Sequence, residues 1–281
     1  MRYINFDEIV QNVKNMCINA NCILNNDIKL IFDKALQCEK SPVACNILEN
    51  LKKNAEIAEE RMIPICQDTG MAVVFIEIGQ EVSVKGGLLR DAVNEGVRQG
   101  YVEGYLRKSV VYDPIIERIN TKDNTPAIIH YDIVEGDRLK ITVAPKDFGS
   151  ENMSKIYMLK PSDGREGVIN CILKTIEEAG PNPCPPMIVG IGLGGNFEYS
   201  AYLAKKALLR PVGIHSEKEY LREIEKEVIE KANKTGIGPQ GLGGKTTILW
   251  AAAEDYATHI AGMPVAVNIS CHVTRHCECI L

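Results

Sequence analysis

Residues 65–70 read Ile65-Cys66-Gln67-Asp68-Thr69-Gly70, which sets a thiol, an amide, a carboxylate and a hydroxyl in consecutive positions. A thiol can ligate a soft metal, and a carboxylate can move a proton. Gly70 allows a tight backbone path out of the stretch. These residues come after a long helical pattern broken by Pro64. They lead into the β-rich run Met71-Ala72-Val73-Val74-Phe75-Ile76-Glu77-Ile78. Junctions of this kind carry function more often than element interiors do. Taken alone, the same residues also describe an ordinary turn around a packed cysteine.

Of the 10 cysteines, Cys66, Cys184 and Cys271 stand apart. Each lies in a loop or at a strand end, beside polar or proline-rich sequence. Cys184 sits in Pro181-Asn182-Pro183-Cys184-Pro185-Pro186, where prolines fix an extended backbone and hold the thiol in place. The same run also suits a rigid link. Three thiolates are one short of the four that normally enclose a [4Fe–4S] cluster. An iron without a protein ligand can bind a hydroxyl and act as a Lewis acid. The three positions are far apart in sequence, so spacing alone does not establish a common site. Cys17, Cys22, Cys38, Cys45 and Cys171 fall in helical patterns and read as small hydrophobes. Cys277-Glu278-Cys279 lies at the C-terminus, where a frayed end is expected.

The chain that must position these groups has 281 residues, 45% hydrophobic and 25% charged, the balance of a soluble globular protein. A net charge of -5 argues against nucleic acid as the main partner. No apolar run is long enough for a membrane span, and the N-terminus lacks the apolar core of a signal peptide, so a cytoplasmic chain is expected. Residues 6–62 carry apolar positions at helical spacing, with Asp7 and Asp27 as candidate caps and Pro42 in the first turn of a third helix. A strand is expected over 71–78 and a helix over 86–104. Strands at 127–134 and 139–143 flank the turn Glu135-Gly136-Asp137. Further helices are expected over 164–179 and 215–234, and short strands at 187–191 and 266–269. The fold class is α+β: a helical N-terminal layer packed on one or two small, mainly antiparallel or mixed sheets with surrounding helices. One domain covers 1–281, with a helical subregion 1–62, an α+β region 63–276 and a tail 277–281.

Two glycine patterns imitate nucleotide sites. Gly190-x-Gly192-x-x-Gly195 matches a dinucleotide fingerprint between a strand and a helix. A charged helix and a glycine loop come next, without a clear further strand or an acidic residue ending one. Gly243-Gly244-Lys245-Thr246-Thr247 resembles the end of a phosphate-binding loop, but Pro239 stands where that pattern needs glycine. Both loops can still present backbone N–H groups to an anion.

Seven segments together carry a family resemblance. They are Ile65 to Gly70, Leu106-Arg107-Lys108-Ser109, Asn120 to Ala127, Lys146 to Asn152, Gly190 to Phe197, Asn233 to Thr247 and His259-Ile260-Ala261-Gly262. In these the chain resembles the alpha subunit, or N-terminal half, of class I fumarate hydratases and L-tartrate dehydratases, the iron–sulfur hydro-lyases. The resemblance implies that Cys66, Cys184 and Cys271 hold a [4Fe–4S] cluster whose fourth iron takes substrate. It implies substrate contacts from Gln67, Asp68, Arg107 and Gly149. Asp68 is then the acid/base carboxylate, and His259 a catalytic or acid/base-supporting residue. An Arg suits a dicarboxylate because its planar fork binds carboxylate in bidentate fashion; Arg107 otherwise reads as a surface residue, and His259 as a satisfied core histidine. The implied reaction is reversible hydration of fumarate to L-malate, with dehydration of L-tartrate as the alternative. The implied partner is a separate beta subunit that completes the active site in a heterotetramer or larger hetero-oligomer. A different class, a non-catalytic iron–sulfur electron carrier or redox sensor, would be expected to show four cysteines per cluster.

Overall fold

The structure, a computed structural model, describes residues 1–281. It opens with β1 (Arg2–Asn5), α1 (Phe6–Cys22), α2 (Asn26–Cys38) and α3 (Pro42–Arg61). Then come β2 (Met71–Gly79), β3 (Val82–Lys85), α4 (Leu89–Glu103), β4 (Ile128–Val134) and β5 (Leu139–Lys146). A short α5 (Phe148–Glu151), β6 (Lys155–Leu159), α6 (Gly164–Ala179), β7 (Met187–Gly194) and α7 (Phe197–Ala207) continue the chain. It ends with α8 (Glu219–Ala232), β8 (Ile248–Tyr256), β9 (Met263–Ser270) and β10 (Cys277–Ile280). This is the mixed α and β content expected, on small sheets that are not closed into a barrel. No helix is long and apolar enough to cross a membrane. The residues gather into two compact units.

The first unit comprises Met1–Asn25, Ala55–Phe148 and Arg275–Leu281. Its sheet has the order β10-β5-β2-β4. β2 runs parallel to β4 and antiparallel to β5. The strands flanking Glu135-Gly136-Asp137 are therefore not a hairpin, because β2 lies between them. Ile9 and Val13 of α1 and Val93 and Val97 of α4 pack on Val74, Ile76, Ile141 and Val143 of the sheet. The two helices approach closely at Gly96, where an added Cβ would lie 2.6 Å from that of Val13. Cys17 is wholly buried in this core, and burial, with the nearby Cys277, pushes its thiol far above the ordinary range. That is the small-hydrophobe role expected of it. Asp7 is not the cap of α1; Asn5 holds that position without a side-chain hydrogen bond, and Asp7 lies in the first turn. The expected frayed end is also corrected: Cys277–Ile280 pairs antiparallel with β5 and closes one edge of the sheet. The Cys279 thiol is pushed up to about 11, first by burial and then by Cys277.

The second unit comprises Asn26–Asn54 and Gly149–Thr274. Its sheet has the order β6-β9-β7-β8, with β7 parallel to β8 and antiparallel to β9. Successive side chains of a strand point to opposite faces. Met187, Val189 and Ile191 of β7 accordingly face the core formed with Ile172 and Ile176 of α6 and Leu221 and Val228 of α8. Gly190 and Gly192 face the other way, against α7. An added Cβ would lie 2.0 Å from the Ala204 carbonyl oxygen at Gly190 and 2.0 Å from that of Ser200 at Gly192. These glycines thus sit inside a strand and let a helix press on it; they are not a phosphate-binding turn. A next strand does exist, β8, contrary to the sequence expectation. Its first half is Ile248-Leu249-Trp250-Ala251-Ala252-Ala253, and alanine is depleted in strands generally.

The second glycine loop already has its anion. The Glu39 carboxylate accepts from Lys245 N at 2.8 Å, Thr246 N at 3.1 Å and Thr246 Oγ1 at 3.2 Å. Its other oxygen accepts from Lys40 N at 2.9 Å and Ser41 N at 3.1 Å. Burial raises the Glu39 pKa, but the backbone donors of Ser41, Lys40, Lys245 and Thr246 outweigh it and hold the carboxyl below its usual value. Asp27, expected to cap α2, instead lies in that helix's first turn and accepts from Val212 N at 2.6 Å.

Two substitutions test this packing. Gly190→Ala should cost about 3 kcal/mol by overpacking and lower the melting temperature by roughly 10 °C; an unchanged melting curve would contradict the close approach of α7. Glu39→Gln should cost about 2 kcal/mol at neutral pH. A carboxyl with a lowered folded pKa stabilises fully above its unfolded value, near ~4.3, and that contribution is lost as pH falls through the folded value. Urea unfolding from pH 7 downwards should therefore show the gap between wild type and Glu39→Gln constant at first and then closing. A gap that widens in acid would refute this role.

Candidate active site

In the first unit, the loop after α3 is anchored by its own backbone. Ile65 N donates to Asn21 O at 2.9 Å. Cys66 is half-buried, and its Sγ accepts from Asp68 N at 3.4 Å. Gln67 is exposed. The Asp68 carboxylate accepts from Gly70 N through Oδ1 and from Phe148 N through Oδ2, both at 3.0 Å. A carboxylate has about four lone-pair sites, so two remain for another group. Thr69 is buried and clasps the backbone of Arg107: its Oγ1 accepts from Arg107 N at 2.9 Å and donates to Arg107 O at 3.2 Å. The Arg107 residue itself is exposed.

Residues without an assigned role hold this loop in place. Tyr101 OH donates to Thr69 O at 2.9 Å and to Gly70 O at 3.1 Å. Asn124, fully buried, donates to Gly70 O at 3.1 Å and accepts from Ser109 N at 2.7 Å. Asn120 Nδ2 donates to Lys108 O at 2.9 Å. The Asn120–Ala127 and Leu106–Ser109 segments are thereby tied to the cysteine loop. Arg275 Nη2 donates to Asp68 O at 2.7 Å. At Gly70, with φ of 74°, an added Cβ would lie 2.6 Å from Lys146 C, so the loop presses on β5.

In the second unit, Cys184 is exposed and has φ of 53°, a left-handed conformation that non-glycine residues adopt at a cost. Its N–H donates to Pro181 O at 3.1 Å. Its carbonyl is bonded to His272 Nδ1 at 2.9 Å. The next carbonyl, of Pro185, accepts from both Gln240 N at 2.7 Å and Gln240 Nε2 at 2.9 Å. The glycine loop pinned by Glu39 thus braces the Cys184 turn. Cys271 is buried, and its Sγ accepts from Val273 N at 3.4 Å. Through His272 the Cys184 and Cys271 segments are brought together within this unit. The proline run around Cys184 is a braced turn, not a link. Gly149 is exposed and comes directly after Phe148 in the chain.

His259 lies in the turn between β8 and β9 and is exposed, which removes the core-histidine alternative. Its Nδ1 accepts from Ala261 N at 3.2 Å. The neutral ring then carries its proton on Nε2. The turn is tied to the end of β7, since Thr258 Oγ1 donates to Gly195 O at 2.9 Å. Within either unit, no three His, Cys, Asp or Glu side chains form a group able to hold a metal ion.

His272, Gln240, Tyr101 and Arg275 escaped the sequence reading as site residues. His272 had one signal, its place next to Cys271. The others act on backbone carbonyls, and nothing in a sequence marks which carbonyl a side chain will reach.

Residues 10–280 match the model of the family described as Fumarate hydratase (Fumerase). A Methanocaldococcus jannaschii protein, provisionally named L(+)-tartrate dehydratase subunit alpha, is 41% identical over 260 residues, covering 91% of each chain. The L(+)-tartrate dehydratase subunit alpha of Escherichia coli strain UTI89 is 32% identical over 252 residues, 87% of this chain and 82% of that one. The protein of the same name from Shigella sonnei is 31% identical over the same shares. The chain belongs to the fumarate hydratase (Fumerase) family, the hydro-lyases whose motifs its sequence carries.

Proposed function

We propose that this chain is the alpha subunit of an iron–sulfur hydro-lyase that interconverts fumarate and L-malate, with Cys66, Cys184 and Cys271 as the ligands of a [4Fe–4S] cluster. The observation that carries the reading is the contrast among the cysteines. Cys66 and Cys271 each accept a backbone N–H from two residues ahead. Hydrogen bonds to sulfur are among the levers that tune iron–sulfur centres. Burial instead raises the thiol pKa of Cys17, Cys22 and Cys171, which keeps those protonated. Three thiols carried on turns are a donor set of the chemistry that a [4Fe–4S] cluster takes.

When bound, the cluster would supply Lewis acidity that makes the substrate hydroxyl a better leaving group. The chain's own residues would do the rest. Arg107 would pair with one substrate carboxylate through its planar fork. Gln67 and the backbone at Gly149 would orient the rest of the dicarboxylate. Asp68, its direction fixed by two N–H donors, would move a proton with a lone pair left over. His259 Nε2 would support that transfer. Dehydration of L-tartrate is the second reading, favoured by the names of the relatives.

A beta subunit would complete the site. Ile115 and Ile116 are 83% and 86% exposed and would offer apolar side chains to such a partner.

Cys184→Ala should lose the cluster's visible absorbance and the turnover together; full activity in that variant would refute the ligand assignment. The chain co-expressed with its partner and assayed anaerobically should turn over L-malate faster than L-tartrate, while the chain alone should show little turnover. Preference for tartrate would move the assignment to the second reading, and full activity of the isolated chain would remove the partner.

A further inference from the structure

Arg275 is only 3% exposed and makes no ion pair. Its Nη2 holds the Asp68 carbonyl at 2.7 Å, and its Nε is buried with no hydrogen-bond partner. The Asp68 carboxylate forms no ion pair with it and accepts instead from Gly70 N and Phe148 N. The other deeply placed guanidinium of the chain is handled differently: Arg210 pairs with the carboxylates of Glu225 and Glu254. Burying an ion without a countercharge costs several kcal/mol. A cradle that keeps a guanidinium buried, without an ion pair and with its Nε–H unused, is complete only when an anion is present.

The position of Arg275 indicates which anion. It lies four residues after Cys271 in the chain. It is bonded to Asp68, whose own N–H is held by the Cys66 sulfur. A [4Fe–4S] centre with three thiolate ligands carries net negative charge. We propose that Arg275 is the standing countercharge of that centre, and that it also positions the Asp68 loop through Nη2. This rests on the ligand reading given under Proposed function. Arg275 is a positioning residue and not a group that reacts with substrate.

The test compares wild type, Arg275→Lys and Arg275→Gln, each co-expressed with the beta subunit and reconstituted anaerobically. The readouts are cluster content, the reduction midpoint potential of the cluster, and kcat and KM for L-malate. Arg275→Gln removes the charge, so its midpoint should shift downwards or its cluster content should fall. Arg275→Lys keeps the charge but not the fork, so its midpoint and cluster content should stay near wild type while kcat drops at least about tenfold. Lys and Gln variants that match each other in potential and cluster content, whether both intact or both equally impaired, would overturn the countercharge role. If wild type itself takes up no cluster, the ligand reading falls and this inference with it. A loaded wild type beside indistinguishable variants sinks this inference alone.

Discussion

A loop that joins no sheet ladder must find partners for its carbonyls, and the Asp68–Gly70 turn finds them in side chains. Arg275 takes Asp68 O, Tyr101 takes Thr69 O and Gly70 O, and Asn124 takes Gly70 O as well. Buried peptide groups left unpaired cost as much as a lost hydrogen bond, so this set of donors fixes one backbone path. The direction of the Asp68 carboxylate depends on that path, as does the place of Arg107, whose backbone Thr69 holds at both N and O. The loop is rigid because its donors come from a helix, a polar loop and the segment after Cys271. Tyr101 is wholly buried in the core of the first unit, so this loop is attached directly to packed interior.

The same logic explains the two glycine patterns. Glycine-rich turns bind anions because they expose backbone N–H groups, and they allow close approach because they lack Cβ. The Gly243–Thr247 loop uses the first property internally, with Glu39 as the anion. Gly190 and Gly192 use the second, with α7 against them. The first loop contributes to the second unit's cysteine region: Gln240, in the loop held by Glu39, grips Pro185 beside Cys184.

Cysteine chemistry divides along the same line between packing and turns. Cys17 and Cys171 are buried in helices, where thiols behave as small apolar groups. Cys66, Cys184 and Cys271 lie in turns whose geometry is set by neighbours, with φ of 53° at Cys184 as the extreme case. Cys277 and Cys279 belong with the first group, in a strand whose partner β5 is distant in sequence.

Periodicity fixed much of this fold in advance. Apolar spacing of three and four marks α1, α4 and α6 because their buried faces obey helical geometry, and the alternating or continuous apolar runs mark β2, β5 and β7. The motif segments likewise marked the family, since Cys66-Gln67-Asp68, Arg107 and the Asn120–Ala127 run are recognised by residue identity alone. Pairing was beyond the reach of the sequence. β8 was hidden because its alanine run is held as strand by pairing with β7, which lies far away in sequence. β10 was hidden because a four-residue strand has no signal without β5, and the place of β2 between β4 and β5 is set by registry across distant segments. The roles of Tyr101, Gln240, His272 and Arg275 depend on which carbonyl lies within reach, and a carbonyl is present at every residue. Only the tertiary fold decides that, because it alone sets which backbone groups are denied water and must be met by a side chain.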